Sequence, residues 1–472
     1  MADVVILGGG PGGYEAALVA AQLGASVTVV DSGGLGGSAV LTDCVPSKAL
    51  IAVAEVVTDT NEATVLGVRI PGTGDGTGIT VDLGAANKRI LGLAHQQSVD
   101  ISAKLAKAGV LVVTGRGRLA GSPRASSGKI EVDRVVVSSD DGADQELPAD
   151  VVLVSTGARP RVLPTAVPDG ERILTWTQVY DMTEVPEELV VVGSGVTGAE
   201  FAGAYQSLGS QVTLISSRDR VLPGEDVDAA QVLQDVFERR GMRVMSRSRA
   251  VSVERRGASV LVQLEDGRTV TGSHCLLAVG SVPNTENIGL AEAGVTVDRG
   301  GFVTVDKVSR TGARGVYAAG DCTGVLMLAS VAAMQGRIAM WHALGDAVTP
   351  LNLLTVSSNV FTDPEIATVG VTQRQVDSGE VIAVGMMLPL AGNARAKMMG
   401  VTDGFVKLFA RASTRTIVGG VVVAPRASEL IFPVALAIEG RLTVDQLTHA
   451  FTVYPSLSGS IAEVARQLRR AD

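Results

Sequence analysis

Short apolar runs, each closed by a glycine turn, recur along the chain and predict the buried strands of parallel sheets. Asp3–Leu7 is the first, and Gly8-Gly9-Gly10-Pro11-Gly12-Gly13 follows it directly. A helical pattern then runs from Tyr14 to Leu23, and a second apolar run, Val27–Val30, ends at Asp31. The same order returns later as Leu189–Val192, Gly193-Ser194-Gly195-Val196-Thr197-Gly198, a helix to Leu208 and the run Gln211–Ile215. Strand, glycine turn, helix and strand in that order predict two dinucleotide-binding folds in one chain.

Between these units the pattern changes. From Ile51 to about Leu119 it predicts mostly helices, interrupted by a Gly/Thr-rich loop at Gly67–Gly78. Lys129–Pro148 predicts strands and turns, and Val151–Thr156 and Cys275–Gly280 predict further apolar strands. From about Pro350 a separate α+β unit is expected, with strands Phe405–Phe409 and Ile417–Val423 and a helix over Ser428–Glu439.

The glycine turns carry chemistry. Gly8, Gly10 and Gly13 stand at the G-x-G-x-x-G positions, with Pro11 opening the helix. Such glycines permit a tight turn and close backbone approach, and the helix N-terminus faces a pyrophosphate. Asp31, 23 residues after Gly8, is placed to bond an adenosine ribose. Gly193, Gly195 and Gly198 repeat the turn, but the matching acid position is Ser216, followed by Ser217, Arg218, Asp219 and Arg220. Without the acid and with arginines beside it, this second site suits the 2′-phosphate of NADPH. The arginines are equally compatible with solvated loop charges, and NADH use with either reading.

Composition narrows the function classes. The 472 residues suggest roughly three domains at about 150 residues each. The net charge of −9 and the lack of any Lys/Arg-rich block give no reason to expect nucleic acid. No apolar run approaches the ~20 residues needed for a membrane span. The N-terminus enters a strand pattern at Val4 with no basic start, so a cytoplasmic protein is expected. Three Cys (Cys44, Cys275, Cys322) match neither a disulfide scaffold nor a zinc spacing, and with 4 dispersed His no metal site is expected.

Gly36–Lys48 reads GGSAVLTDCVPSK. It resembles the redox segment of the pyridine nucleotide–disulfide oxidoreductases, the FAD enzymes that include dihydrolipoamide dehydrogenase and glutathione reductase. The family has two Gly, a spaced pair of Cys and then Pro-Ser-Lys. Here Cys44 and Pro46-Ser47-Lys48 are present, while Ala39 stands at the first Cys position. The resemblance extends over nearly the whole chain. Thr156-Gly157-Ala158-Arg159-Pro160 resembles the turn that leaves the flavin domain, and Gly280-Ser281-Val282-Pro283-Asn284 the turn that returns to it. Thr311–Asp321, ending Ala318-Ala319-Gly320-Asp321, resembles the second FAD signature, whose Asp bonds the ribityl chain. Met327–Ala332 resembles the helix start near the flavin pyrimidine ring, which brings in Leu328 and Ala329. Val360–Gly370 resembles the opening of the C-terminal interface domain.

The resemblance implies an α/β fold with two Rossmann-like domains and a C-terminal α+β dimerisation domain. Its segments are 1–158 (FAD), 159–280 (NAD(P)), 281–349 (FAD, central) and 350–472 (interface). It implies FAD held by Gly8, Gly10, Pro11, Gly13, Asp31, Gly37, Thr156, Gly157, Gly280, Asp321, Leu328 and Ala329. It implies NADPH or NADH on Gly193, Gly195, Gly198, Ser217 and Arg218. It pairs Lys48 with Glu200 beside flavin N5, where an ammonium stabilises negative charge on the reduced ring. It also implies a homodimer or a dimer of dimers.

The departures share one theme. The family delivers a His-Pro-Thr-x-x-Glu segment whose His and Glu move thiol protons. Here the run is Tyr454-Pro455-Ser456-Leu457-Ser458-Gly459, with Tyr for His and Gly for Glu. Ala39, Tyr454 and Gly459 all fall on disulfide chemistry, which needs an attacking thiol and a proton-managing partner. The expectation is therefore an NAD(P)H:quinone oxidoreductase, or diaphorase, in which Tyr454 donates to a quinone oxygen or merely packs. Other readings are a soluble pyridine nucleotide transhydrogenase, a single-Cys disulfide or peroxide reductase working through Cys44, and an FAD-binding structural subunit.

Overall fold

The computed structural model describes residues 1–69, 79–123, 130–139 and 142–469, which divide into two compact units. The first comprises Met1–Ser47, Lys88–Arg161 and Gly280–Asn352. Its centre is a five-stranded parallel sheet in the order Val316–Ala318, Val151–Val154, Asp3–Leu7, Ser26–Asp31 and Leu111–Thr114. Asp3–Leu7 is central, with Leu7 opposite both Val30 and Val154. Ile6, Val29 and Leu153 face the Pro11–Gln22 and Ala329–Ala343 helices. Val5, Leu7 and Val152 face a second layer that includes a three-stranded antiparallel sheet. Burial on both faces is why these strands are unbroken apolar runs rather than alternating ones.

The second unit comprises Lys48–Asn87, Val162–Val279 and Leu353–Asp472. It repeats the parallel sheet, here Arg243–Met245, Gln211–Ile215, Glu188–Val192, His274–Leu277 and Ile173–Thr175. It also holds a five-stranded antiparallel sheet from Ser357 to Ala424. One face of that sheet (Ala367, Val406, Leu408, Val422) packs on helices Phe432–Glu439, Val444–His449 and Gly459–Leu468.

Two expectations need correction. The helical reading of Ile51–Leu119 ends at Lys107, because Leu111–Thr114 is the edge strand beside Ser26–Asp31 and Arg116–Pro123 is another strand. An apolar run of four residues on a half-exposed edge carries too little periodicity to separate strand from helix. The strand expected over Cys275–Gly280 is His274–Leu277, and the chain turns at Ala278. Residues 70–78 of the Gly67–Gly78 loop, and Lys129, lie outside the described residues. Among the described residues no helix is long and apolar enough to cross a membrane, and no cluster of His, Cys, Asp and Glu could hold a metal ion.

Candidate active site

The two glycine turns have matching geometry. Gly8 (φ +103°) and Gly193 (φ +111°) are left-handed, and a Cβ there would overlap the carbonyls of Ser155 and Ala278 respectively. A Cβ on Gly13 would overlap the Gly8 carbonyl, and one on Gly198 the Gly193 carbonyl. These four glycines are required by the chain itself. Gly10 and Gly195 are different: they sit at the N-caps of the Pro11–Gln22 and Val196–Ser207 helices in extended conformation. A Cβ would meet nothing closer than 3.9 Å at Gly10 and nothing within 4 Å at Gly195. No neighbouring protein atom demands a glycine there; a phosphate drawn against the helix N–H groups would. Both turns therefore fit a dinucleotide.

Asp31 and Ser216 close the two sites in parallel ways. The Asp31 carboxylate accepts from Gly9 N (2.6 Å), Gly33 N (2.7 Å) and Gly34 N (2.6 Å). Ser216 is buried, its Oγ lies 2.7 Å from Ser194 Oγ, and it accepts from Arg218 N (3.1 Å). Ser194 and Gly9 each follow the first fingerprint glycine, so both strand ends are tied to that position, the first by a backbone N–H on a carboxylate and the second by a bond between two hydroxyls. Arg220 is spent on Asp219 at 2.7 Å. Arg218 and Arg247 are exposed without an ion pair among the described residues, and Arg247 N–H donates to the Arg218 carbonyl. A cavity of about 260 Å³ beside them is lined by Gly193, Ile215, Ser217 and Arg249, among others. Arg249 lines the cavity, and Arg218 and Arg247 are the chain neighbours of Ser217 and Ser248 in its lining, so a nucleotide phosphate there has guanidiniums to meet.

In the first unit, Gly320 (φ +83°) donates its N–H to buried Gln335 Oε1 at 2.8 Å. That bond sets the turn presenting Asp321. Burial, reinforced by the Asp43 carboxylate, pushes the Asp321 carboxyl up to about 6. The site accordingly favours a group that donates to the carboxylate, as ribityl hydroxyls do. Gly157 (φ +68°) and Gly280 (φ +92°) turn in open space, and Gly37 (φ +56°) abuts the backbone of Gly10. Leu328 is the N-cap of the Ala329–Ala343 helix, which crosses Pro11–Gln22 so closely that a Cβ on Gly336 would overlap the Gly12 carbonyl.

In the second unit the structure joins Lys48 and Glu200. Lys48 Nζ lies 2.8 Å from Glu200 Oε2, with side-chain exposures of 29% and 3%. Glu200 Oε1 accepts from Phe361 N at 2.8 Å, and Lys48 Nζ stands 5.0 Å from the Phe361 ring centroid. Both carboxylate oxygens are thus used, as a nearly buried charge requires. Sequence reasoning gave Phe361 no role, and its contribution is a backbone donor that no residue identity reveals. Cys44 is partly buried, while Cys275 and Cys322 are free and buried. Burial raises both buried thiols, Cys322 to about 11, so neither is poised for thiolate chemistry. Tyr454 is 86% exposed and His449 is exposed. A Cβ on Gly459 would meet Ser456 Oγ at 3.5 Å and Thr452 Oγ1 at 3.7 Å, ordinary contacts. A Cβ is therefore not excluded by packing at this position.

Residues 2–336 match the family model described as pyridine nucleotide-disulphide oxidoreductase, and residues 356–465 match that family's dimerisation domain. The chain belongs to the pyridine nucleotide-disulphide oxidoreductase family, flavoenzymes that work with FAD and NAD(P)H. It is 55% identical over 472 residues to an NAD(P)H dehydrogenase (quinone) of Mycobacterium tuberculosis strain H37Rv, covering 99% of this chain and 94% of the relative. It is 34% identical over 468 residues to a dihydrolipoyl dehydrogenase of Chlorobaculum tepidum, covering 98% and 96%. The crystal structure of LpdA from M. tuberculosis superposes with a TM-score of 0.93 at 54% identity, covering 99% of this chain and 100% of the other. The chain is a flavin-dependent oxidoreductase of this group.

Proposed function

We propose that the protein is a cytoplasmic, FAD-dependent NAD(P)H:quinone oxidoreductase without disulfide reductase activity, assembled as a homodimer or a pair of dimers. The observation that carries this reading is the intact Lys48–Glu200 ion pair at 2.8 Å in a chain that has Ala39, Tyr454 and Gly459 at the thiol-handling positions. The equipment for taking a hydride is kept, and that for passing electrons to a disulfide is missing. The near-full-length likeness to an NAD(P)H dehydrogenase (quinone) supports the same conclusion.

FAD supplies the two-electron relay. In this reading Gly8, Gly10, Gly13, Asp31 and Asp321 hold it, and Lys48, oriented by Glu200, stabilises charge at the ring. Gly193, Gly195, Gly198, Ser217 and Arg218 hold the nicotinamide nucleotide. Exposed Arg218 and Arg247, and the neutral Ser216, support NADPH as the preferred donor. The test is an acceptor panel on the purified holoenzyme. Rapid turnover with quinones and none with lipoamide or glutathione disulfide is expected; robust lipoamide reduction overturns the reading. Flavin bleaching on anaerobic mixing with NADPH excludes a purely structural flavoprotein.

A further inference from the structure

Reduction of a quinone by NAD(P)H needs one solvent proton. The donor loses a hydride and becomes NAD(P)⁺; the quinone gains that hydride and a proton and becomes the hydroquinone. The His that manages protons elsewhere in the family is replaced by Tyr454, so the proton needs another route. Behind Glu200 the second unit contains a cavity of about 30 Å³. That is room for about two waters at ~15 Å³ each. Glu200, whose buried carboxylate bonds Lys48 at 2.8 Å, lines it. Glu55, on the Cys44–Glu62 helix, also lines the cavity, and its side chain reaches solvent.

The rest of the cavity wall carries polar groups that can bond water. Thr58 Oγ1 donates to Ser207 Oγ at 3.0 Å, and both residues line the cavity. Arg240, also on the wall, is bound to Asp363 at 2.7 Å and Glu62 at 3.0 Å, so its charge is already compensated. Glu55 is faced by the carboxylates of Glu365, Asp363 and Asp59, with Arg426 opposing them. Partial burial and these like charges hold its carboxyl above the usual range, towards the pH at which a group both takes and releases protons.

We propose that Glu55 is the proton port of the Lys48–Glu200 pair. A solvent proton binds the Glu55 carboxylate, crosses the cavity through water, and reaches Glu200. Lys48 ammonium gives its proton to the acceptor oxygen, and the neutral amine is recharged from Glu200. No net charge is left behind: one proton enters at Glu55 and one leaves in the product. This rests on the quinone reading for its final acceptor.

Two variants and two readouts test it. In stopped flow, Glu55→Gln should leave flavin bleaching by NADPH within about twofold of wild type, because that half-reaction takes up only a hydride. Reoxidation by quinone should slow about 10²-fold with an increased solvent isotope effect, and Glu55→Asp should restore much of the rate. Ala54→Leu, which fills the cavity but keeps both carboxylates, should slow reoxidation in the same way. Equal slowing of both half-reactions, or unchanged reoxidation in either variant, overturns the port. The second readout needs no acceptor. The C=O stretch of protonated Glu55, followed by infrared difference spectroscopy with Glu55→Gln as the blank, should shift in Glu200→Gln, because both carboxyls would bond the same cavity waters; an unchanged band also overturns the port. If wild-type flavin bleaches but no quinone reoxidises it, the quinone reading fails, and the infrared arm still decides whether Glu55 and Glu200 are coupled.

Discussion

Lys48 is a cation on a partly exposed helix face, and its neutralising carboxylate is nearly buried. Lys48→Met keeps most of the side-chain volume and removes the charge. Flavin reduction by NADPH should then slow by about 10²–10³-fold, the usual effect of losing one electrostatic contact in a water-poor site. Stopped-flow bleaching measures this, and unchanged circular dichroism would show that the fold survives. Asp321 gives a pH prediction. Its folded carboxyl is raised to about 6, so in the FAD-free protein the charged form is disfavoured. Its contribution to stability is therefore present at low pH and is lost as pH rises from the unfolded value of 3.8 to about 6. A flavin hydroxyl donating to the carboxylate favours the charged form, so FAD should bind the apoprotein more tightly above pH 6 than at pH 5. Asp321→Asn should flatten that dependence in a flavin-fluorescence titration. Lys48, Glu200 and Asp321 were legible in the sequence because each sits in a motif. The Phe361 N–H on Glu200 and the Ser194–Ser216 bond were not. Those contacts join positions 161 and 22 residues apart, and only the folded chain brings them together.

At the scale of elements, the two strand–turn–helix units share a backbone and differ in charge at one strand end. Asp31 ties its loop with a carboxylate, whereas Ser216 does so with a hydroxyl and adds no negative charge beside the exposed Arg218 and Arg247. Arg218→Ala and Arg247→Ala should each lower kcat/KM for NADPH by about 10–100-fold, the worth of one charge-assisted hydrogen bond. Steady-state assays should show NADH hardly affected; equal losses for both nucleotides would remove the 2′-phosphate role. The helix crossing at Gly12 and Gly336 is another element-level constraint. Gly336→Ala should cost about 1–3 kcal/mol by overpacking, read as a lower melting temperature of the apoprotein. Both fingerprints were legible because buried strands and glycine turns leave long, ordered signatures. Leu111–Thr114 was misread because an exposed edge strand is held by one neighbour's hydrogen bonds, which composition does not register. Likewise nothing in the spelling of residues 329–343 marks Gly336 as the place where a second helix touches.

Over the whole molecule, three substitutions in two distant stretches have a common effect. Where the family resemblance places a thiol, a base and the carboxylate that orients it, this chain has Ala39, Tyr454 and Gly459. The apolar surface left on the dimerisation domain, including Phe432 (61% exposed) and Phe451 (104%), fits a second copy of the chain. If these losses are one coordinated change, repairing the thiol alone cannot restore the ancestral reaction. Ala39→Cys should permit a disulfide with Cys44, detectable as lost thiol titre, yet lipoamide reduction should stay near background because no base takes the thiol proton. Adding Tyr454→His and Gly459→Glu should raise lipoamide turnover by about 10²-fold or more, in line with general acid–base catalysis. A Cβ at Gly459 would make only ordinary contacts, so the backbone there accepts a non-glycine residue. Quinone turnover should persist throughout, because none of the three substitutions touches Lys48 or Glu200. High lipoamide activity in Ala39→Cys alone would mean that Tyr454 and Gly459 changed without consequence, and the single-theme account of this chain would fail.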